Sequence, residues 1–472
     1  MEAGVARRVA ASTLAQVLGR AVALGAGAVS VVLLTRYLGA AGYGRMGLAV
    51  SYVGVFGVLA DLGIVTVLVR ELARSPERRE ELVGTAMALR LALSGGMLAL
   101  AALVSLVLPY DERVRVAILL LGVPLALTGL NSGLVALFQA ELRLDWKVVG
   151  DVLGRIAAVA AIALVVGLDL GFYAAVLTSA VGAVAQLAAS VVLARRVIRV
   201  RPRVDPPRWR ALARAAIPVG ASLAVAELLF RVDTVIVSLF RPYREVGLYT
   251  LAYRVLELTA ALPAILLASA YPLLARWAGT EPERARRVLG LSTDAFVALG
   301  LPLAVGGALL APGIVALTGG EDFGGATDPL RILLASVVLS SVNGLCGYAL
   351  IAAGRQRDAL RLGLGGLALN VVANLALVPS YGIDAAAAVT VLTEVGLLAG
   401  SLVLVARHLG WRPRATVLVR PGAACAVMAA VLVPLLDAPV LLAVAAGAVA
   451  YGLALLAVGG VDLQLLRSLR QV

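Results

Sequence analysis

The chain has one histidine, His408, and two cysteines, Cys346 and Cys425. A single histidine builds neither a metal site nor a catalytic triad. Both cysteines fall inside apolar runs without metal-like or redox spacing, and they read as packing residues. Aromatic residues make up 5% of the 472 positions and offer little for stacking on nucleobases. The 49 glycines include "GLGG" at 363–366, but none follows a strand as a nucleotide loop would. Charged residues are also scarce, at 15%, well below the share of a soluble domain.

In their place the sequence carries 61% hydrophobic residues, gathered into long runs separated by polar breaks. Runs of about 20 apolar residues match the thickness of a bilayer core. They place spans near 14–34, 44–67, 84–108, 114–138, 147–166, 171–194, 213–239, 247–274, 287–310, 328–353, 359–379, 383–405, 417–436 and 438–459. The runs are continuous rather than alternating, which excludes barrel strands and leaves helices, whose backbone polar groups are satisfied internally. The expected fold is an all-α polytopic membrane protein with about fourteen transmembrane helices. The first run is too long for a signal-peptide core and ends at "TRYLG" without a small-residue cleavage site, so it reads as the first span.

The formal charge of +13 invites a nucleic-acid reading until its placement is considered. With the N-terminus inside, the outer loops hold only Arg36, Arg45, Arg113, Arg115, Arg241, Arg244 and Arg331, and the spans hold Arg20, Arg90, Arg155, Arg231 and Arg254. All other basic residues fall on the opposite side, an asymmetry that places both termini in the cytoplasm and accounts for the net charge without nucleic acid. The largest basic cluster, "ARRVIRVRPRVDPPRWRALAR" at 194–214, reads as a cytoplasmic linker touching anionic headgroups.

"GYGRMGLAVSYV" (42–53) can be laid over "EVGLYTLAYRVL" (245–256), pairing Gly44 with Gly247 and Leu48-Ala49 with Leu251-Ala252. Each copy opens the second helix of its half, so spans 1–6 and 7–12 read as two pseudo-symmetric six-helix lobes of the same orientation, with spans 13 and 14 appended. The resulting organisation is an N-terminal lobe (1–194), a basic linker (195–212), a C-terminal lobe (213–405) and a final pair of spans with a cytoplasmic tail (406–472). Parallel repeats of this kind usually enclose a path that opens alternately to either side.

Three stretches carry a family resemblance: "LLTRYLGAAGYGRMGLAVSYVGVFGVLADLGIVTVLVREL" (33–72), "RVDTVIVSLFRPYREVGLYTLAYRVLEL" (231–258), and "GGEDFGGATDPLRIL" (319–333) with the segment 352–394. They resemble Wzx-type polysaccharide and O-antigen flippases, in the superfamily that also holds multidrug and toxin extrusion transporters and lipid II flippases. The resemblance implies a V-shaped, two-lobed transporter, not an enzyme. Its expected cargo is a polyprenyl-pyrophosphate-linked oligosaccharide moved across the cell membrane for surface polysaccharide assembly. It also implies contact with membrane lipid, glycan polymerase or ligase partners, no cofactor beyond a coupling H⁺ or Na⁺, and action as a monomer. A lipid II flippase and an ion-coupled multidrug antiporter are the competing readings. A membrane glycosyltransferase would need a large outer loop with catalytic acids, whereas the longest one expected, about 311–327, offers only Glu321 and Asp322.

Intramembrane charges cost about 2.5–3.5 kcal/mol each on insertion scales, so they face a cavity or a partner. Glu227 and Arg231 are four residues apart and can pair on one helix face. Asp233 points elsewhere and lies at a depth from which it can reach Arg254, which alternatively pairs with Glu257. Arg20 lacks an acid on its own helix; Asp61 on span 2 is the candidate partner, and an unpaired Arg20 would suit a pyrophosphate, because a guanidinium binds phosphate oxygens bidentately. Arg155 is expected to be neutralised by Asp151, and Arg90 to snorkel. Arg20, Arg231, Arg254, Asn131, Asn343 and Asn374 are therefore the substrate-binding candidates, and Asp61, Asp233 and Glu394 the ion-coupling ones. Pro124, Pro218, Pro263 and Pro302 are candidate kinks.

Overall fold

A computed structural model describes residues 2–61 and 63–459, without the side chains of 2–17 and a few isolated positions. The chain is an all-α polytopic membrane protein. Its α-helices are α1 (Glu2–Asp61), α2 (Ile64–Arg74), α3 (Arg79–Val107), α4 (Glu112–Ala140), α5 (Leu144–Gly167), α6 (Gly171–Ala194), α7 (Pro206–Phe240), α8 (Tyr243–Trp277), α9 (Pro282–Gly319), α10 (Thr327–Leu334), α11 (Ser336–Ala352), α12 (Gln356–Leu409), α13 (Val419–Leu432) and α14 (Val440–Ala457). Among the described residues, 10 segments are long and apolar enough to cross a membrane.

Two of those segments each hold two of the expected spans, because the turns between them have shrunk to one residue. Gly39 (φ 64°, ψ 176°) breaks α1 between spans 1 and 2, and Gly382 (φ 68°, ψ −149°) breaks α12 between spans 11 and 12. This backbone region is essentially closed to any residue with a Cβ. The helices α7 and α8, at 35 residues each, coincide with spans 7 and 8.

The structure corrects the sequence reading at two further places. Span 2 does not continue to residue 67: α1 stops at Asp61, Gly63 takes up φ 79°, and α2 starts as a separate amphipathic helix. Its Ile64, Val67, Leu68 and Leu72 are buried while Arg70 and Arg74 stay exposed. The expected loop at 311–327 is also mostly helix, since α9 runs to Gly319 and a 3₁₀ turn spans Glu321–Ala326 with Phe323 fully buried. Pro124, Pro263 and Pro302 all lie inside helices, whereas the side chain of Pro218 is outside the described residues.

The described residues fall into two compact units, divided between Gly247 and Leu248, so α7 groups with α1–α6. In the first unit a core of Leu68, Leu72, Val83, Leu134, Phe138 and Trp146 ties α2, α3, α4 and α5 together. In the second, Leu274, Leu289, Phe296, Leu345 and Cys346 join α8, α9 and α11. The final pair, α13 and α14, docks on α9 through Leu310, Cys425, Met428, Leu432 and Tyr451, whose hydroxyl donates to the Ala298 carbonyl at 2.6 Å. Both cysteines are free and buried, as packing residues. Many large apolar side chains point outward, among them Val107 at 83% and Leu441 at 71% exposure. Outside a bilayer such a surface would be unstable; against acyl chains it is the expected one.

The two residues aligned by the internal repeat meet inside the first unit. A Cβ on Gly44 would overlap the Tyr243 carbonyl, and one on Gly247 would overlap that of Ala40. Only glycine permits this backbone approach. Beside it, Arg45 donates to Asp111 at 2.7 Å and lies 4.7 Å over the Tyr243 ring, while the Tyr243 hydroxyl accepts from the Asp111 amide at 3.0 Å.

Candidate functional site

Two of the pairings expected in the first unit are replaced by others. Asp61, at the C-terminal end of α1, is met by Arg90 of α3 at 3.1 Å rather than by Arg20. Arg90 does not snorkel: it is 6% exposed, and its Nε donates to Ser132 of α4 at 3.2 Å. The break at Gly63 ends the helix next to Asp61, and the carboxylate turns toward the interior cation. Asp151 is likewise not used by Arg155. It accepts from Lys147 at 2.5 Å and from Gln186 at 2.7 Å, both better placed on its own two sides.

These exchanges leave Arg20 and Arg155 exposed and without an ion pair among the described residues. They lie on helices in mutual contact, since Gly19 of α1 packs against Val148 and Val152 of α5. Positions 148, 152 and 155 share one helical stripe, so Arg155 sits one turn beyond the residues that touch the neighbour of Arg20. Two guanidinium groups on adjoining helices, each without an ion pair among the described residues, add positive charge there and attract an anion. Arg155 was missed because its acid four residues back looked sufficient. The signal that could have found it was Lys147, an equally spaced competitor on the other side of Asp151.

Arg231 packs its guanidinium against Gly54 and reaches Glu227 at 3.5 Å, so the local pair expected there is formed but long. Asp233 is buried at 1% exposure. Asn131, also on an inward face, is 4% exposed, and its Oδ1 has no hydrogen-bond partner among the described residues.

In the second unit Arg254 pairs with Glu257 at 2.6 Å, one of the two partners expected for it. Two other candidates converge: the Asn343 amide of α11 donates to Glu394 of α12 at 3.3 Å, and the Asn343 carbonyl accepts from Ser401 at 2.7 Å. Glu394 has no ion pair among the described residues. Its carboxylate is therefore held by a neutral donor between apolar helices. Ser401, seven residues beyond Glu394 and so on the same face, completes the chain; that spacing was visible in the sequence but belonged to one serine among many. Asn374 is fully buried and donates to the carbonyl and side chain of Asn370 at 3.0 and 3.2 Å. Among the described residues no cluster of three His, Cys, Asp or Glu could hold a metal ion. Two polar groups thus stand out, Arg20 with Arg155 on the adjoining helices α1 and α5 and a carboxylate–amide–hydroxyl chain on α11 and α12.

Comparison with known proteins gives these sites a setting. Residues 5–277 match the family described as polysaccharide biosynthesis protein, and residues 218–376 match the MatE family. Over 162 residues the chain is 27% identical to the probable low-salt glycan biosynthesis flippase Agl15 of Haloferax volcanii, a stretch that covers 34% of each chain. The chain thus spans about a third of the length of the curated relatives it matches. Its fold is similar to that of the lipid II flippase MurJ in an inward closed conformation, with a TM-score of 0.77 at 12% identity over 94% of this chain and 97% of that one. It is also similar to an inward-facing multidrug resistance MATE family transporter of the MOP superfamily, with a TM-score of 0.64 at 15% identity over 82% of this chain and 94% of that one. At such identities the likeness is one of fold. The first family match covers more than half of the chain, and the chain therefore belongs to the polysaccharide biosynthesis protein family.

Proposed function

We propose that this protein is a flippase that carries a polyprenyl-pyrophosphate-linked oligosaccharide across the cytoplasmic membrane by alternating access, for assembly of cell-surface polysaccharide. The observation that carries the reading is the uncompensated pair Arg20 and Arg155 on adjoining helices of the first unit. A pyrophosphate supplies the charge that this pair lacks, and planar guanidinium groups bind its oxygens bidentately. Family membership and the name of the Haloferax relative support the same cargo class. Arg231 and Arg254 each have an acid in contact and join the anion only by giving it up. Asn131, whose Oδ1 has no partner among the described residues, offers an amide group to sugar hydroxyls, and Asn343 and Asn374 join it only by giving up their contacts to Glu394, Ser401 and Asn370.

In this reading both termini face the cytoplasm, the repeats act as two six-helix lobes, and the protein works as a monomer that hands its cargo to a polymerase or ligase. Transport is driven by H⁺ or Na⁺ at an intramembrane acid. Glu394 is favoured over Asp61, whose charge is already answered by Arg90, and over the deeply buried Asp233.

The test is flipping of defined lipid-linked sugars in reconstituted vesicles. Wild type should move lipid-pyrophosphate glycans, and Arg20→Ala and Arg155→Ala should each slow this about tenfold to a hundredfold, the range for losing a charged hydrogen bond. Export of cationic drugs with no movement of lipid-linked sugar would sink the proposal. A second reading, flipping of lipid II, is favoured specifically by the 0.77 TM-score to that fold. The same vesicles distinguish it by peptide-bearing against peptide-free cargo.

A further inference from the structure

The two halves of α12 leave a furrow at their basic-loop end that none of the transport roles above uses. It consists of two adjoining cavities of about 550 and 560 Å³ that share Val403. Leu362, Ala399, Val403 and Leu404 give the first an apolar wall. Arg361 stands at its rim, and Arg407 and Arg412 line the second.

The rim is built on fixed backbone. The Leu409 carbonyl accepts from Arg286 at 2.7 Å, Gly410 closes the helix in the left-handed region at φ 65°, and Trp411 is buried at 8% exposure. The turn that carries Arg407 and Arg412 is thus pinned to α9. Both arginines are exposed and have no ion pair among the described residues. The acid at the furrow, Asp358, is shared between Arg361 at 3.7 Å and His408 at 3.5 Å. The rim therefore keeps an excess of positive charge beside an apolar trough.

We propose that this furrow is a binding site for an anionic phospholipid of the leaflet that faces the basic loops. Its phosphoryl group sits between Arg407 and Arg412, and one acyl chain lies along Ala399, Val403 and Leu404. Charge complementarity selects the occupant, because a zwitterionic lipid brings its own cation to the same rim. The apolar wall requires an attached chain, which a free phosphate lacks. The site is independent of the transported cargo.

The experiment is native mass spectrometry of the full-length purified protein with phosphatidylglycerol or phosphatidylcholine, read as apparent affinity. Wild type should retain phosphatidylglycerol preferentially. The double variant Arg407→Gln/Arg412→Gln should weaken that binding about thirtyfold, the combined attraction of two arginines near an anionic surface. Val403→Trp, a substitution at a half-exposed position that fills the trough, should also lower it, while Arg113→Gln/Arg331→Gln among the outer-loop arginines leaves it unchanged. Equal binding of the two lipids, wild-type binding by either furrow variant, or an equal loss in the outer-loop control would overturn the proposal. Preference for a polyprenyl phosphate over phosphatidylglycerol at equal concentration would assign the furrow to that class and overturn it too.

Discussion

Arg90 and Asp61 show how one residue's environment decides its role. Arg90 is almost fully enclosed, while Asp61 is 40% exposed at its side chain, so the acid can relax into solvent and the arginine cannot. Asp61→Asn should therefore destabilise the protein by about 2–3 kcal/mol, below the full figure for a buried pair because of that exposure. Arg90→Gln together with Asp61→Asn should recover part of the loss, measured by thermal unfolding in detergent; equal unfolding temperatures for wild type and Asp61→Asn would show that the pair contributes nothing. At Glu394 the expected effect is on coupling. Glu394→Gln keeps the amide contact to Asn343 but removes the titratable group, so transport should persist at low rate and lose its response to an imposed ion gradient. A variant that responds like wild type would remove Glu394 from the coupling role. The candidates themselves were legible residue by residue, because an ionisable side chain in an apolar run is conspicuous. Their pairings were not. Arg90 and Ser132 lie 42 positions apart in sequence, and no local spacing announces that α3 and α4 bring them together.

At the level of elements, the breaks between helices depend on glycines in backbone conformations that other residues avoid. Gly39→Ala and Gly382→Ala should each cost about 1–3 kcal/mol, seen as a lowered unfolding temperature, since a Cβ is strained at these angles. An unchanged temperature would show that the helices rejoin without the break. The Gly44 and Gly247 contact calls for larger disruption: valine at either position must push α8 away from α1, so Gly44→Val and Gly247→Val should behave alike. Span positions were readable because each is a local run of apolar residues. The short turn at Gly39 was not, because the sequence there offers Gly39, Gly42 and Gly44 within six positions, and packing selects which one bends. The same holds at residue 61, where an apolar run continues past the helix end and only the left-handed Gly63 separates α2.

For the whole molecule, the basic asymmetry predicts a sidedness that can be measured directly. In a variant lacking Cys346 and Cys425, a cysteine introduced at Arg210 should be labelled from the cytoplasmic side only, and one at Arg244 only from outside. Labelling of Arg210→Cys from outside would invert the topology. The family likeness runs through most of the chain as fold and through 5–277 as sequence, which is why the fold class could be read early while the contacts could not.

By itself the sequence determined that the chain is helical and crosses the membrane many times, because apolar length and continuity are local quantities summed along the chain. Only the tertiary structure decided which acid answers which arginine. Asp61 went to Arg90 and Asp151 to Lys147 and Gln186, choices set by distances between separate helices and by which cation could least afford to remain alone. The arginines left over, Arg20 and Arg155, are the consequence of those choices, and the proposed anion site rests on them.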